Sequence, residues 1–264
     1  KVGQRVAVSP GRSCLTCDFC LAGQDNLCPK FGAIGVVGPG GYAEYLRVPP
    51  QYLLPIPEGL SFEEAACFPL TFLTAWHMLR TMGDCSPGQT VLILGAGSGV
   101  GVAAIQIAKL SGARVIASST SSEKLAKARS LGADAVIHHP PQNLPRETCK
   151  LTGGRMADIV IDHVGLAVFD AGLKCLKPGG RLVTCGATTG PTVTLDLRYV
   201  FSRQLKILGA RLGTTREMRD VWRFLEGGQL RPIVDVCFPL EEARTAHEYL
   251  AAHRQFGKVV LTLP

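Results

Sequence analysis

The sequence predicts an α/β fold built on a doubly wound parallel sheet of six strands, and three observations carry that expectation. Apolar runs of buried-strand type recur at regular spacing, with helical segments between several of them. Thirty glycines among 264 residues suit many tight strand-to-helix turns. One glycine-rich string lies directly between such a run and a helical pattern. With 46% apolar residues the chain can fill a large core, most naturally as two linked domains.

The first strand spans residues 90–94, short and wholly buried in character. It runs into Gly95, Ala96, Gly97, Ser98, Gly99, Val100 and Gly101, then a helical pattern over 102–110 and a second strand over 115–119. This β-α-β unit sets the glycines where a pyrophosphate meets a helix N-terminus, which assigns all seven residues to a dinucleotide cofactor. A strict G-x-G-x-x-G begun at Gly95 needs glycine at 100, where Val100 stands. The third glycine is Gly101, so the turn is one residue longer.

Further strands are expected at 135–138, 158–162, 180–186 and 205–209. Ligands of such sheets bind beyond the carboxyl ends of the strands, at the switch point, which places the loops 163–165 and 186–188 near the cofactor, with Val164, Gly165, Gly186 and Ala187 as contacts. Asp162 and His163 are adjacent and therefore point to opposite faces, which argues against an acid-base pair.

The tip of the second strand bears on cofactor choice. A site for NAD(H) places Asp or Glu there against the ribose 2′-hydroxyl. Here Ser118 and Ser119 are followed by Thr120, Ser121, Ser122, Glu123 and Lys124. Hydroxyls with a lysine, and no acid at the tip, favour NADP(H) over NAD(H), with Ser118, Ser119 and Lys124 as contacts. The same serines can cap a helix beginning near Ser122.

Ten cysteines are present, and four of them, Cys14, Cys17, Cys20 and Cys28, follow a C-x2-C-x2-C-x7-C spacing. Short-spaced thiolates can close a tetrahedron around Zn2+, and a full shell of four leaves no open position, so the predicted zinc is structural. Pro10-Gly11 and Ala22-Gly23 let the loop fold back. Two disulfides would need an oxidising compartment, of which the sequence gives no sign. Cys67, Cys85, Cys149, Cys175, Cys185 and Cys237 stand singly among apolar neighbours and read as buried hydrophobes.

The net charge of +7 is spread along the chain, which suits an anionic small ligand and not nucleic acid. Residues 91–108 carry no charge, but the glycines within make the segment strand, turn and helix, not a membrane span. With no signal-like start the expected location is cytoplasmic. The chain lacks an initiator Met and enters a strand within residues 1–8, which reads as an N-terminally incomplete sequence.

With both features located, the chain resembles the medium-chain dehydrogenase/reductase superfamily over its whole length. The matching segments are 3–8, the cysteine loop ending at Cys28, 40–45, 69–76, the turn 95–101 and 257–261. The cysteine loop is similar to the structural zinc lobe of zinc alcohol dehydrogenases, and the turn and serine-rich tip to the quinone-oxidoreductase-like branch. The resemblance implies a partial GroES-like β-barrel domain (1–68), a Rossmann domain (69–228) and a return segment of the barrel domain (229–264). It implies that Thr74 approaches the nicotinamide and that Lys258 reaches the cofactor. The family's third catalytic-zinc ligand falls at Leu70, which cannot bind metal, and Cys67 lies three residues earlier. The segment that supplies the other zinc ligands and the proton relay is not in this sequence, so no catalytic residue is assigned.

The expected activity is hydride transfer between nicotinamide and an alcohol or aldehyde, ketone, enone or quinone, in a homodimer or homotetramer. The alternatives are an NAD-dependent alcohol dehydrogenase with a catalytic zinc, and a non-catalytic nucleotide-binding or zinc-scaffold protein.

Overall fold

The computed structural model describes residues 1–138 and 140–263. It divides into two compact units, one made of Lys1–Thr74 with Arg211–Pro264, the other of Ala75–Ala210.

The first unit opens with strands β1 (Val6–Val8) and β2 (Gly11–Arg12), helix α1 (Asp18–Leu21), and strands β3 (Gly32–Ala33) and β4 (Leu53–Pro55). β1 pairs with β4 and β2 with β3, both antiparallel. The second ladder clamps the base of the loop that carries the four clustered cysteines. Helices α2 (Phe62–Cys67) and α3 (Pro69–Trp76) follow. α2 starts from a reciprocal cap, in which the Ser61 hydroxyl accepts the Glu64 N–H and the Glu64 carboxylate accepts the Ser61 N–H.

The second unit alternates strand and helix: β5 (Thr90–Ile93), α4 (Gly99–Leu110), β6 (Arg114–Ser119), α5 (Ser122–Ser130), β7 (Ala135–His138), α6 (Leu144–Leu151), β8 (Ala157–Asp162), α7 (Phe169–Lys174), β9 (Leu176–Thr184), α8 (Leu197–Ser202) and β10 (Lys206–Gly209). The strands form one six-stranded sheet in the order β10-β9-β8-β5-β6-β7. All its pairings are parallel, as expected. The order reverses between β5 and β8, so the switch point lies beyond their carboxyl ends. Leu92, Ile116, Val160 and Leu182 are fully buried, which is why these strands read as continuous apolar runs. The charge-free stretch divides into β5 and α4, and no helix among the described residues is long and apolar enough to cross a membrane.

The chain returns to the first unit with α9 (Thr215–Glu226), β11 (Val234–Pro239), α10 (Ala243–Ala251) and β12 (Lys258–Thr262), where β11 and β12 pair in parallel. The units therefore divide at 74/75 and 210/211, where the sequence reading had set 68/69 and 228/229. The largest displacement comes from α9. Its apolar face of Met218, Val221, Trp222 and Leu225 is buried. The Trp222 indole N–H donates to the Pro55 carbonyl at 3.2 Å, and the ring meets Phe68 edge-on with centroids 5.5 Å apart.

The scattered cysteines divide as well. Cys67, Cys85 and Cys175 are buried and Cys185 is half-buried, but Cys149 and Cys237 are exposed. Cys149 lies outside the buried face of α6, formed by Leu144 and Thr148, and β11 has no fully buried position.

Candidate functional site

The cysteine loop leaves the β2–β3 ladder at Ser13 and returns to it at Phe31. Gly23 adopts φ +74°, and Leu15 the left-handed φ 63°, which together fold the chain back on itself. The four sulfurs all lie within 4.8 Å of one another. Separations of 3.5 Å for Cys17–Cys20, 3.5 Å for Cys14–Cys28 and 3.9 Å for Cys14–Cys20 are far from bonded disulfides. They match the edge of about 3.8 Å that a tetrahedron with Zn–S bonds of about 2.3 Å requires. The loop also supplies donors to its sulfurs: the Cys14 and Lys30 N–H groups reach Cys28 Sγ at 3.4 and 3.3 Å, and the Thr16 hydroxyl reaches Cys14 Sγ at 3.6 Å. Hydrogen bonds from Thr16 lower the Cys14 thiol to about 5, whereas at Cys17 the pull of the Cys20 backbone is outweighed by burial and the neighbouring sulfurs, which raise it to about 11. The donor set fits Zn2+.

The lobe is tied to the return segment of its own unit. The Asp25 carboxylate accepts the Thr215 hydroxyl at 2.6 Å and the Thr215 N–H at 3.1 Å, at the start of α9. The second of these bonds satisfies the first backbone N–H of the helix.

In the second unit, the turn 95–101 joins β5 to α4. Ser98 is the helix N-cap, and its hydroxyl accepts the Gly101 N–H at 2.9 Å. A Cβ on Gly101 would fall 2.6 Å from the Gly95 carbonyl oxygen and 2.9 Å from Ala96 backbone, so only glycine permits this approach. The longer turn thus still delivers a glycine where helix and turn touch. The Ala96 N–H donates to the Ser118 carbonyl at 3.0 Å, which fixes the turn to the end of β6.

The other loops at this end are fixed by Asp162, which is wholly buried at the end of β8. Its carboxylate accepts the Val164 N–H at 2.9 Å, the Gly165 N–H at 3.1 Å and the Thr184 hydroxyl at 3.4 Å. Burial raises its pKa against the pull of these donors. Gly165, at φ +90°, packs against Ala187, and Gly186 against the His163 carbonyl. Val164, Gly165, Gly186 and Ala187 are therefore gathered beside Gly95–Gly101. Asp162 and His163 point apart, as expected: His163 Nε2 lies 2.6 Å from Ser98 Oγ. The loop 163–165 lies where the sequence places it, but the partners of these two side chains depend on residues distant in the chain.

At the β6 tip the hydroxyls have local partners. Ser118 is buried and donates to the Ile93 carbonyl at 3.2 Å, inside the sheet. Ser119 Oγ accepts the Ser121 N–H at 3.1 Å, and Ser121 caps α5, which begins at Ser122 as expected. The stem of Lys124 crosses the turn, with Cδ 2.6 Å from where a Gly97 Cβ would stand.

Residues 1–58 match the model of an alcohol dehydrogenase GroES-like domain, and residues 99–227 that of a zinc-binding dehydrogenase. An alcohol dehydrogenase of Geobacillus stearothermophilus is 34% identical over 262 residues, covering 99% of this chain and 76% of that protein. The chain belongs to the medium-chain dehydrogenase/reductase superfamily. A quinone oxidoreductase of Pseudomonas aeruginosa is 32% identical over 231 residues, covering 84% of this chain and 71% of that one. A solved structure of an NAD-dependent alcohol dehydrogenase superposes with a TM-score of 0.95 at 48% identity, covering 99% of this chain and 76% of that one. These relatives are dehydrogenases and reductases, and the two units carry that superfamily's GroES-like and Rossmann-type folds.

The remaining positions raised by the resemblance lie in the first unit. Thr74 is buried, and its hydroxyl donates to the Leu70 carbonyl at 2.7 Å, back along α3. Leu70 is 45% exposed and offers no ligand atom. Cys67 is 2% exposed, and burial pushes its thiol up to about 12. Lys258 begins β12, its N–H held by the Ile233 carbonyl at 2.9 Å.

Proposed function

We propose that the chain transfers hydride between a nicotinamide dinucleotide, NADP(H) in preference to NAD(H), and a small alcohol or aldehyde, ketone, enone or quinone. The observation that carries the reading is the turn 95–101, with Gly101 pressed on Gly95 and Ser98 capping α4. The bound dinucleotide supplies or accepts the hydride. The N–H groups and dipole of α4 would hold its pyrophosphate. Lys124, laid across Gly97, with Ser119 beside it, would meet a 2′-phosphate. Asp162 would keep the 163–165 backbone in place against the ligand. Thr74 and Lys258 complete the set on the superfamily's pattern.

Cys14, Cys17, Cys20 and Cys28 would hold one structural Zn2+, closed to substrate by its four sulfurs. Leu70 without a donor and Cys67 buried as a thiol give no support to a catalytic zinc. A homodimer or homotetramer, placed in the cytoplasm, is the proposed setting, the oligomer on the superfamily resemblance. One observation favours NAD(H): the 48% identical structure is named NAD-dependent.

Titration with NADPH and NADH, followed by turnover assays on aldehydes, enones and quinones, tests the reading. At least tenfold tighter binding of NADPH is expected. Equal or tighter binding of NADH overturns the cofactor preference, and no turnover with either dinucleotide overturns the activity.

A further inference from the structure

His163 belongs to none of the cofactor contacts assigned from sequence, yet it is built into the phosphate turn. It follows Asp162 at the end of β8, and its Nε2 lies 2.6 Å from Ser98 Oγ. The same oxygen accepts the Gly101 N–H at 2.9 Å. The ring fills the space above Gly95, where a Cβ would fall 3.0 Å from Nε2. Its other nitrogen, Nδ1, is buried and has no hydrogen-bond partner among the described residues. Burial pushes the imidazole down to about 4, against a pull from the Gly95 backbone, so near neutral pH the ring carries a single proton.

That proton has two possible seats. On Nδ1 it would be a buried donor with no acceptor, the costlier kind of unsatisfied group. On Nε2 it points at Ser98 Oγ and leaves at Nδ1 only an unused lone pair. The second arrangement decides the serine's orientation. Its oxygen then accepts from both Gly101 N–H and His163 Nε2–H, so both lone pairs are occupied. The serine proton must point in the remaining direction, away from both donors, at the N-terminus of the twelve-residue helix α4.

We infer that His163 is a positioning residue of the dinucleotide site, its Nε2–H turning the Ser98 hydroxyl so that the serine proton donates to a phosphate oxygen of the bound dinucleotide. The inference rests on the dinucleotide reading above. It adds a donor that the backbone N–H groups alone do not provide, and it makes the strength of that donor depend on a residue 65 positions away.

Dinucleotide affinity in a set of variants tests it, with NADPH and NADH as probes and 2′-AMP, which lacks the pyrophosphate, as control. His163→Met removes the donor and is expected to weaken both dinucleotides about tenfold, a hydrogen bond to a charged group, while 2′-AMP binding stays unchanged. His163→Gln, whose amide N–H can replace Nε2–H, is expected to restore affinity to within about threefold. Ser98→Ala should weaken binding to a similar degree, and adding His163→Met to it should cost nothing more. Additive losses, an equal loss of 2′-AMP, or unchanged affinity in His163→Met would overturn the inference with the dinucleotide reading intact. Wild-type protein that binds neither dinucleotide would overturn both.

Discussion

In the loop from Cys14 to Cys28, the working groups are side chains brought together; in the turn from Gly95 to Gly101, what matters is largely that side chains are missing. The loop converges four sulfurs to within 4.8 Å and surrounds them with N–H and O–H donors. The turn lets backbone meet backbone at Gly101 and presents a helix N-terminus with one serine. A closed sulfur shell has no vacancy for chemistry, whereas an open row of N–H groups does little until an anion arrives. One region marks the family and holds its own fold, and the other carries the reason to expect an enzyme.

The difference predicts that the two regions fail in different ways. Cys28→Ser should cause the largest effect. Cys28 is the buried member of the cluster, and its loss should reduce zinc by metal analysis from one per chain to near zero. It should also cost about 4 kcal/mol or more of stability in urea unfolding. Gly101→Val should do the reverse. A side chain 2.6 Å from the Gly95 oxygen forces turn and helix apart, with a cost of about 3 kcal/mol and a loss of dinucleotide affinity above about 100-fold, while zinc content stays at one.

A smaller effect follows from His163. Unfolded, it titrates near its ordinary value of 6.5; folded, burial holds it at about 4. As pH falls below 6.5 the unfolded chain takes up the proton first, so stability declines from about pH 6.5 to about pH 4, by on the order of 3 kcal/mol. Urea unfolding across that window should show a steeper slope in wild type than in His163→Gln. The smallest effect is that of Lys124→Ala. It should reduce the NADPH-to-NADH affinity ratio about tenfold and change stability by less than about 0.5 kcal/mol.

Much of this was legible in the sequence because it is local. The cysteine spacing fixes which sulfurs can meet, and strand, turn and helix over 90–110 follow one another without a gap. The same holds for the six strands, whose apolar runs reflect burial on both faces of a parallel sheet. What escaped depends on partners distant in the chain. The apolar face of α9 was readable, but not that Trp222 would reach the Pro55 carbonyl across 167 residues, which moves the whole helix to the other unit. Ser118 sat at the expected strand tip, yet pleating turns its hydroxyl to Ile93 and into the sheet. Adjacency in the strand shows that His163 does not pair with Asp162, but its pairing with Ser98 comes only from the register of β8 against β5.

X-ray absorption at the zinc edge, recorded with and without saturating NADPH, addresses the central contrast most directly. One zinc per chain, ringed by four sulfurs at about 2.3 Å and unchanged by the dinucleotide, is the predicted result. A second zinc, a nitrogen or oxygen ligand in the shell, or a shell that changes when NADPH binds would contradict the account.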